Sequence, residues 1–480
     1  MRPLPLLCAF STLLAACALG PDFTAPQAPA GDRYTAEGDP AATARAGGQA
    51  QQFERAAGPA ARWWRAFRSA ELDALVDQGI AHNPGLEAAQ ASLLQSRHAL
   101  EAGYGVFYPQ LSAGAGASRE KFSPALFGSN SPGPTFNLFT LSASVSYALD
   151  VFGGQRRTVE ALAAQTDVQQ AQLLGSYLTL SGNLVNTAIA RAAYGSELEE
   201  TRALIALLQQ QVALARAQAQ AGTAPFATVL ALEAQLAQAQ ATLPPLQLKA
   251  DQAEHLLATL SGVLPSRWQA RPLAFSQLAL PDRLPLSLPS DLVRRRPDVR
   301  AAEAGLHAAS AGIGVATAAQ FPSFTLSGSY GQYSTSSGTL FAGLGNFWSL
   351  GADVAAPIFD GGTLRARREA AEAGYAQSLA LYRQAVLGAF GQVADVLRAL
   401  DQDARTLQAA EAAQAAAEGS WRLLEVNERA GLANGLQVLG AKTQWHQARL
   451  AVLQAQAVRL QDTTAYFVAL GGGGEPPPAP

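Results

Sequence analysis

The residue types that usually carry catalysis or bind metals are few in this sequence, and their spacing suits neither task. The nearest two of the five histidines, His82 and His98, are 16 positions apart, whereas two ligands on one helix face need a spacing of four. Gly312-Ile313-Gly314 lacks the third glycine and the preceding strand of a dinucleotide-binding loop, and neither a GxSxG nor a Walker sequence occurs. The sequence therefore predicts no enzyme, no metal site and no cofactor.

The basic residues do not indicate a nucleic-acid partner. The 34 Lys and Arg are balanced by 37 Asp and Glu, so the net charge is −3 and there is no excess of basic residues to neutralise a phosphate backbone. Arg294-Arg295-Arg296 could suggest a phosphate site. It directly precedes Pro297 at a predicted helix start, so we interpret it as a source of structural salt links.

The cysteines indicate a covalent lipid. Residues 1–16 begin with one Arg and continue as an apolar run, which is the layout of a signal peptide and too short for a membrane span. The run ends in Leu14-Ala15-Ala16-Cys17, which resembles a lipobox, in which the cysteine is acylated and becomes the first mature residue. The alternative is a plain signal peptide followed by an incidental cysteine. With Cys8 removed, the mature chain would have no pair of thiols for a disulfide.

An internal duplication organises the rest of the chain. Residues 83–90 match residues 296–303 at an offset of 213, and later matches follow at 208 or 209. The later matching segments are Gly153-Gly154 with Gly361-Gly362, Ala221-Gly222-Thr223 with Ala430-Gly431-Leu432, and Val229-Leu230 with Val438-Leu439. We therefore expect a lead-in over 17–60, poorly structured from residue 27, two similar halves over 61–270 and 271–470, and a disordered tail over 471–480.

Each half is predicted to contain a helix, a β-hairpin and two long helices. The hairpins are expected at 109–149 and 322–358, with loops near 121–137 and 331–346, and the long helices at 155–262 and 363–470.

The hairpin strands alternate in polarity. Ser142, Ser144 and Ser146 interleave with apolar neighbours from residue 141 to residue 149, and residues 350–358 alternate in the same way. Strands of about 10 residues are long enough to cross a membrane at a tilt, and Phe347 and Trp348 lie where an aromatic girdle would be expected. A soluble, half-buried sheet would show the same alternation, so the strands alone leave both readings open.

The long helices favour an assembly. No Pro interrupts the chain between Gly154 and Gly222, so about 65 residues can form one helix roughly 100 Å long. Glycine-containing turns at 221–226 and 430–435 end the long helices and create two hairpins. Beyond residue 19 there is no apolar stretch long enough for a membrane helix, so strands would have to span. Four strands cannot close a barrel, whereas three copies would supply 12.

The chain resembles the TolC family of outer-membrane efflux channels, specifically its OprM/NodT-like lipoprotein branch. The resemblance covers residues 17 to about 470. The segments that carry it are Cys17–Pro26, Trp63–Phe67, Leu288–Glu303, Ile313–Ala316 with Phe321-Pro322, and Ile358–Gly362 with Arg365.

The resemblance implies a mixed α/β membrane protein and a homotrimer. A 12-stranded outer-membrane β-barrel, with four strands per chain, would continue into a long α-helical periplasmic barrel. It further implies a passive exit duct for small molecules in a Gram-negative bacterium. The duct would be anchored by lipid on Cys17 and joined through a periplasmic adaptor (membrane fusion protein) to an inner-membrane RND-type pump. Ala18 replaces the Asp that retains family lipoproteins in the inner membrane, which favours the outer membrane.

Candidate site residues follow from this resemblance. Ser142, Ser144 and Ser146 would line the barrel lumen. The turns between the long helices, at 221–226 and 430–435, would form the periplasmic aperture and contact the adaptor. The candidate residues there are Thr223, Glu425, Glu428, Arg429, Leu432 and Asn434. The alternative is that these are solvated residues at the tips of the helical hairpins and have no gating role.

Two other functions remain open at this point. A duct of the same architecture could export polypeptides by type I secretion. From another class, a periplasmic coiled-coil scaffold could carry the strands as a soluble sheet.

Overall fold

The computed structural model describes residues 18–27, 31–55, 58–123, 128, 132–269, 273–343 and 345–473. The described residues form eight α-helices and six β-strands. The helices are α1 (Ala70–His82), α2 (Pro84–Tyr104), α3 (Gly154–Gln220), α4 (Phe226–Leu260), α5 (Pro289–Arg295), α6 (Pro297–Ala318), α7 (Thr363–Arg429) and α8 (Gly435–Ala469). The strands are β1 (Gln52–Arg55), β2 (Gln110–Lys121), β3 (Thr135–Leu149), β4 (Arg283–Leu286), β5 (Ser323–Ser334) and β6 (Asn346–Ala355). The predicted signal peptide 1–16, Cys17 and residues 474–480 lie outside the described residues.

The chain divides into two compact units, and each takes segments from both halves of the sequence. The first unit comprises Met1–Pro26, Ser92–Gln169 and Ala302–Tyr382, and the second comprises Gln27–Ala91, Gln170–Ala301 and Arg383–Pro480. Equivalent elements of the two halves thus lie in the same unit.

The first unit contains a four-stranded antiparallel sheet in the order β2-β3-β5-β6. Strand β3 begins at Thr135 and β5 ends at Ser334, so both loops are shorter than the composition predicted. Antiparallel pairing continues through Ser, Thr and Asn residues that resemble loop sequence. The fourth strand is β6, at 346–355 rather than 350–358, and its pairing with β5 ends where Ala355 meets Ser323.

Helices of the same two lengths occur in both halves. Helices α3 and α7 have 67 residues each, and α4 and α8 have 35 each. Helix α3 carries a stripe of buried residues spaced alternately three and four positions apart, as in a heptad repeat: Leu198, Thr201, Ile205, Leu208, Val212 and Ala215. Among the described residues, no helix combines the length and the apolar character needed to cross a bilayer.

Glycines end the long helices as the sequence predicts. Gly222 and Gly431 have φ angles of +74° and +73°, in the left-handed region that favours glycine. In each turn the residue after the glycine donates its N–H to a carbonyl five positions earlier, Thr223 to Gln218 and Leu432 to Asn427. This is the Schellman arrangement, which satisfies the last carbonyls of the helix.

The lead-in is better ordered than expected. Strand β1 pairs in parallel with β4, and the side chain of Gln51 is fully buried. That side chain donates to Thr463 Oγ1 (3.0 Å) and accepts from Arg459 Nε (3.2 Å). The expectation of a poorly structured segment is therefore wrong for residues 31–55, because its few polar side chains pair with buried groups on α8. Likewise Gly471 and Gly472, the first residues of the expected tail, are buried.

Arg296 has the structural role that the sequence analysis preferred for the arginine triplet. Its side chain forms two hydrogen bonds with Asp298 (3.0 and 2.7 Å) and donates to the Ala469 carbonyl (2.8 Å) and Gln392 Oε1 (2.9 Å). Burial alone would raise the pKa of Asp298, but the hydrogen bonds and charge of Arg296 hold it below its usual value. The arginine thereby ties the start of α6 to α7 and to the end of α8.

Candidate functional site

One face of the four-stranded sheet carries hydroxyl groups, and we call it the serine face. Its polar members, placed by strand alternation and register, include Ser112, Thr140, Ser142, Ser144, Ser146, Thr325, Ser327, Ser329, Ser349 and Asp353. One row crosses all four strands, with Ser144 between Ser112 and Ser329, and Ser349 at its end. The Oγ atoms of Ser112 and Ser144 are 2.7 Å apart, and so are those of Ser329 and Ser349. The predicted lumen residues Ser142, Ser144 and Ser146 therefore share a continuous hydroxyl-rich surface.

The opposite face is apolar and exposed, and we call it the apolar face. Its large apolar side chains that are exposed are Leu111, Leu141, Val145, Leu149, Leu326, Tyr330, Trp348, Leu350 and Val354. Their exposed fractions run from 37% for Leu141 to 80% for Leu350. A contiguous apolar surface of this kind indicates that the face contacts another protein or a membrane rather than facing water.

The predicted aromatic girdle needs a correction, because adjacent strand residues point to opposite faces. Trp348 lies on the apolar face opposite Tyr330. Phe347 belongs to the serine face, where its ring centroid is 5.6 Å from that of Tyr333. The two residues were predicted as a pair, but Trp348 alone of the two can belong to a lipid-facing girdle.

An aspartate caps each long helix where a strand leads into it. Asp150 Oδ1 and Oδ2 each accept a backbone N–H from the start of α3, at 2.9 Å. Asp360 does the same at the start of α7, at 2.9 and 2.7 Å, and these hydrogen bonds lower the pKa of its carboxyl. The positive φ of Gly153 and Gly362 completes the two turns.

A charged cluster in the first unit binds the segment that directly follows Cys17. We call Arg157, Glu160 and His307 the N-terminal dock. The Arg157 side chain is 5% exposed and contacts Asp22 (Nη2–Oδ1, 2.7 Å) and Glu160 (Nη1–Oε2, 2.7 Å). His307 Nε2 lies 2.9 Å from Glu160 Oε1, and its ring stacks on Phe23 at 4.4 Å. Burial alone would raise the pKa of Glu160, but Arg157 and His307 lower it.

Backbone contacts complete the attachment of this segment. The Leu19 N–H donates to the Phe152 carbonyl (3.1 Å), and the Leu19 carbonyl accepts from Arg157 Nε (3.2 Å). Gly20 crosses Gly314 so closely that a Cβ on Gly20 would lie 2.4 Å from the Gly314 Cα. The sequence did not indicate this site, because Arg157 and Asp22 are 135 positions apart. The local signals in the sequence are the glycines at 20 and 314, where the two segments approach closely.

The turn after α7 brings several predicted tip residues together. Glu425 lies 3.7 Å from Arg429 and 3.8 Å from Lys442, measured between charged side-chain atoms. Glu428 is exposed, and Leu432 is 79% exposed. An exposed leucine beside a network of charges is chemistry that suits contact with another protein surface.

Two other predicted tip residues form hydrogen bonds within the turns to which they belong. Asn434 Oδ1 accepts the Gln437 N–H (3.0 Å), and the Gln437 side chain accepts the Asn434 N–H (2.9 Å), which together form a capping box for α8. Thr223 is exposed, and its hydroxyl donates to the Gln218 carbonyl (3.0 Å) at the end of α3.

Comparisons with known proteins agree with this geometry. The model of the family described as "Outer membrane efflux protein" matches residues 75–263 and 288–472. The pyoverdine export outer membrane protein OpmQ of Pseudomonas putida is 30% identical over 86% of this chain and 88% of its own length. Nodulation protein T of Rhizobium leguminosarum bv. viciae is 30% identical over 96% of this chain and 92% of its own length.

A solved structure extends the likeness to the fold. The outer-membrane channel OprN superposes with a TM-score of 0.83 at 27% identity, covering 95% of this chain and 99% of that one. The resemblance inferred from the motifs is thereby confirmed. The chain belongs to the outer membrane efflux protein family.

Proposed function

We propose that this chain is the outer-membrane exit duct of a tripartite efflux pump and passively conducts small molecules to the outside. The observation that carries the proposal is the sheet. It has an exposed apolar face, a hydroxyl-rich face and an open edge on each side within the described residues. An apolar outer surface and a polar inner surface are what a strand-built pore in a bilayer needs.

The proposed assembly is a homotrimer. Unpaired backbone groups on β2 and β6 are too costly in lipid, so the sheet must close on itself through further copies. Three copies would give a closed barrel of 12 strands, within the known range. Helices α3, α4, α7 and α8 of the three copies would form the helical barrel. The serine row would then become a ring of hydroxyl groups around a water-filled lumen.

The proposed partners are a periplasmic adaptor and an inner-membrane RND-type pump that supplies the energy. Family membership supports both, as do the charged and apolar groups at the α7–α8 turn. We also propose that Cys17 carries the lipid anchor, since the N-terminal dock holds the residues directly after it.

The test is the mass of the full chain extracted from membranes in mild detergent, corrected for bound detergent, together with conductance in a planar bilayer. We expect three copies and a conducting pore. A monomer that stays soluble without detergent would overturn the proposal and favour the coiled-coil scaffold. Deleting the gene should lower drug minimum inhibitory concentrations, whereas a loss of secreted protein alone would instead indicate type I secretion.

A further inference from the structure

The charged residues of the four-stranded sheet are separated by sign between its two faces. They are Arg119, Glu120 and Lys121 near the end of β2, and Asp353 near the end of β6. By strand alternation and register, Glu120 and Asp353 belong to the serine face. Arg119 and Lys121 belong to the apolar face by the same rule. Within these four described strands, the serine face therefore carries carboxylates and no basic side chain.

Side-chain contacts agree with the placement of both carboxylates. The hydroxyl of Ser118, two positions before Glu120 on the same face of β2, donates to Glu120 Oε1 (2.8 Å). A Cβ added to Gly351 would lie 2.8 Å from Ser327 Oγ and 3.6 Å from Asp353 Oδ2. The Asp353 carboxylate thus lies over the serine face. Both acidic residues are exposed, and neither forms an ion pair with another described residue.

The residues around Asp353 leave its charge uncovered. It lies opposite Thr325, and its same-face neighbours along β6 are Gly351 and Ala355. These short residues neither supply a cation nor shield the carboxylate from solvent. A wall that carries one sign of charge, with low-dielectric material behind it, focuses its electric field into the space that it encloses.

The turn after α7 differs from the sheet in this respect. Glu425 lies 3.7 Å from Arg429 and 3.8 Å from Lys442, measured between charged side-chain atoms. With Glu428 included, the acidic and basic residues there are equal in number. Adjacent charges of opposite sign largely cancel at a distance. We therefore expect a charge preference of the duct to arise at the sheet rather than at this turn.

We propose that Glu120 and Asp353 make the strand-built section of the duct selective for cations. This inference rests on the proposed function, in which each carboxylate occurs three times around the lumen. The preference extends about one Debye length from the wall, which is about 8 Å at physiological ionic strength. Bulky cations pass closest to the wall, so they are the class of small molecule that the section favours most.

The experiment is the reversal potential of the full chain in planar bilayers under a KCl gradient. We expect K⁺ to permeate about three times as readily as Cl⁻ near 0.01 M salt, where the Debye length is about 30 Å. The preference should vanish near 1 M salt, where that length is about 3 Å. Asp353→Asn combined with Glu120→Gln should lose most of the preference. The matched control is Arg119→Gln, because Arg119 adjoins Glu120 but lies on the other face.

A second measurement changes the charge after the pore has assembled. Asp353→Cys is treated with a methanethiosulfonate reagent that carries either a sulfonate or a quaternary ammonium group. The sulfonate should restore the preference for K⁺, and the ammonium group should shift the selectivity toward Cl⁻. Arg119→Cys should show neither change, and the unaltered chain treated with both reagents accounts for its own cysteines.

The outcomes separate this inference from the duct itself. Unchanged selectivity in the double variant, or equal effects of the two reagents, would overturn the inference while the duct stands. A preference of the unaltered chain for Cl⁻ at low salt would also overturn it. A monomer by mass, or a chain that does not conduct, would overturn the proposed duct and this inference with it.

Discussion

Helices α3 and α7 have the same length but very different surroundings in the second unit. Helix α3 is buried at intervals from Ala192 to Ala215, and polar groups tie it to α8. Among the described residues of α7 after Leu407, none is buried. The first helix finds its neighbour within the chain, whereas the distal part of the second leaves a face uncovered.

The residues on these two faces differ as much as their burial does. On α3, Glu200 forms ion pairs with His446 and Arg449 of α8. Gln211 makes a neutral contact, in which its side-chain amide donates to the Thr443 hydroxyl (2.7 Å). The positions on α7 that are 209 residues later are Ala409 and Ser420, both exposed. Hydrogen-bonding side chains thus line the contact between α3 and α8, which we call the internal seam. Small side chains occupy the equivalent positions on the exposed part of α7, which we call the open face. Small residues allow close helix approach without a specific polar partner.

The largest effect should come from breaking the internal seam. Glu200→Ala removes a carboxylate that is 7% exposed and leaves His446 and Arg449 without their partner. We expect the free energy of unfolding in detergent to fall by about 3 kcal/mol. The matched control is Glu199→Ala, at the exposed neighbouring position. A loss no greater than that of the control would show that the seam is unimportant.

A smaller effect should appear when the open face is enlarged. Ala409→Leu adds bulk where we expect a second copy to pack, so the proposed trimer should be weakened by about 2 kcal/mol through overpacking. Sedimentation in detergent measures the fraction of trimer. Ala415→Leu is the control, because position 415 is also exposed but lies on another side of α7. Equal trimer fractions in both variants would contradict a neighbour at Ala409.

Thr443→Val tests the neutral part of the seam. The substitution leaves the buried Gln211 amide without its hydroxyl partner, and we expect a loss of about 1.5 kcal/mol of stability. Chemical denaturation followed by circular dichroism measures this loss. The double variant Gln211→Leu with Thr443→Val should recover part of it, since no amide is then left unpaired. Full additivity of the two single changes would argue against the hydrogen bond.

The smallest effect concerns pH. Burial raises the pKa of Glu197, although the Gln454 amide opposes this. The folded chain therefore keeps this proton to higher pH than the unfolded chain does, so stability declines as pH rises from the usual glutamate pKa to the raised one. Glu197→Gln should remove that decline in a pH series of unfolding measurements. Glu199→Gln, at an exposed site, should leave it intact.

Regular features of this fold could be read from the sequence because local physics determines them. The absence of proline from α3 and α7, and the glycines at 222 and 431, predicted long uninterrupted helices, about 65 residues for the first, and their ends; both helices have 67 residues. The alternation around Ser144 likewise predicted the two faces of the sheet. The same alternation places Phe347 and Trp348 on opposite faces, so the expectation that both belong to one girdle is wrong.

Features made by distant polar contacts could not be read in this way. Gln51 looks like part of a loose linker, and its burial depends on Arg459, which is 408 positions away. The dock has the same origin, because nothing local to Arg157 marks Asp22 as its partner. A polar side chain reveals its partner only when the fold brings the two together.

The N-terminal dock has a consequence for the lipid anchor that we propose on Cys17. Left free, the nine residues from Ala18 to Pro26 would span roughly 30 Å at about 3.3 Å per residue. Because Leu19 is hydrogen-bonded to Phe152 and Arg157, the free chain between an acylated Cys17 and the folded protein would be only a few ångströms long. So short an attachment would give the protein a high effective concentration at the bilayer surface. It would keep the end of β3 at the bilayer surface, so that the open sheet edges of separate copies meet by diffusion in two dimensions rather than three.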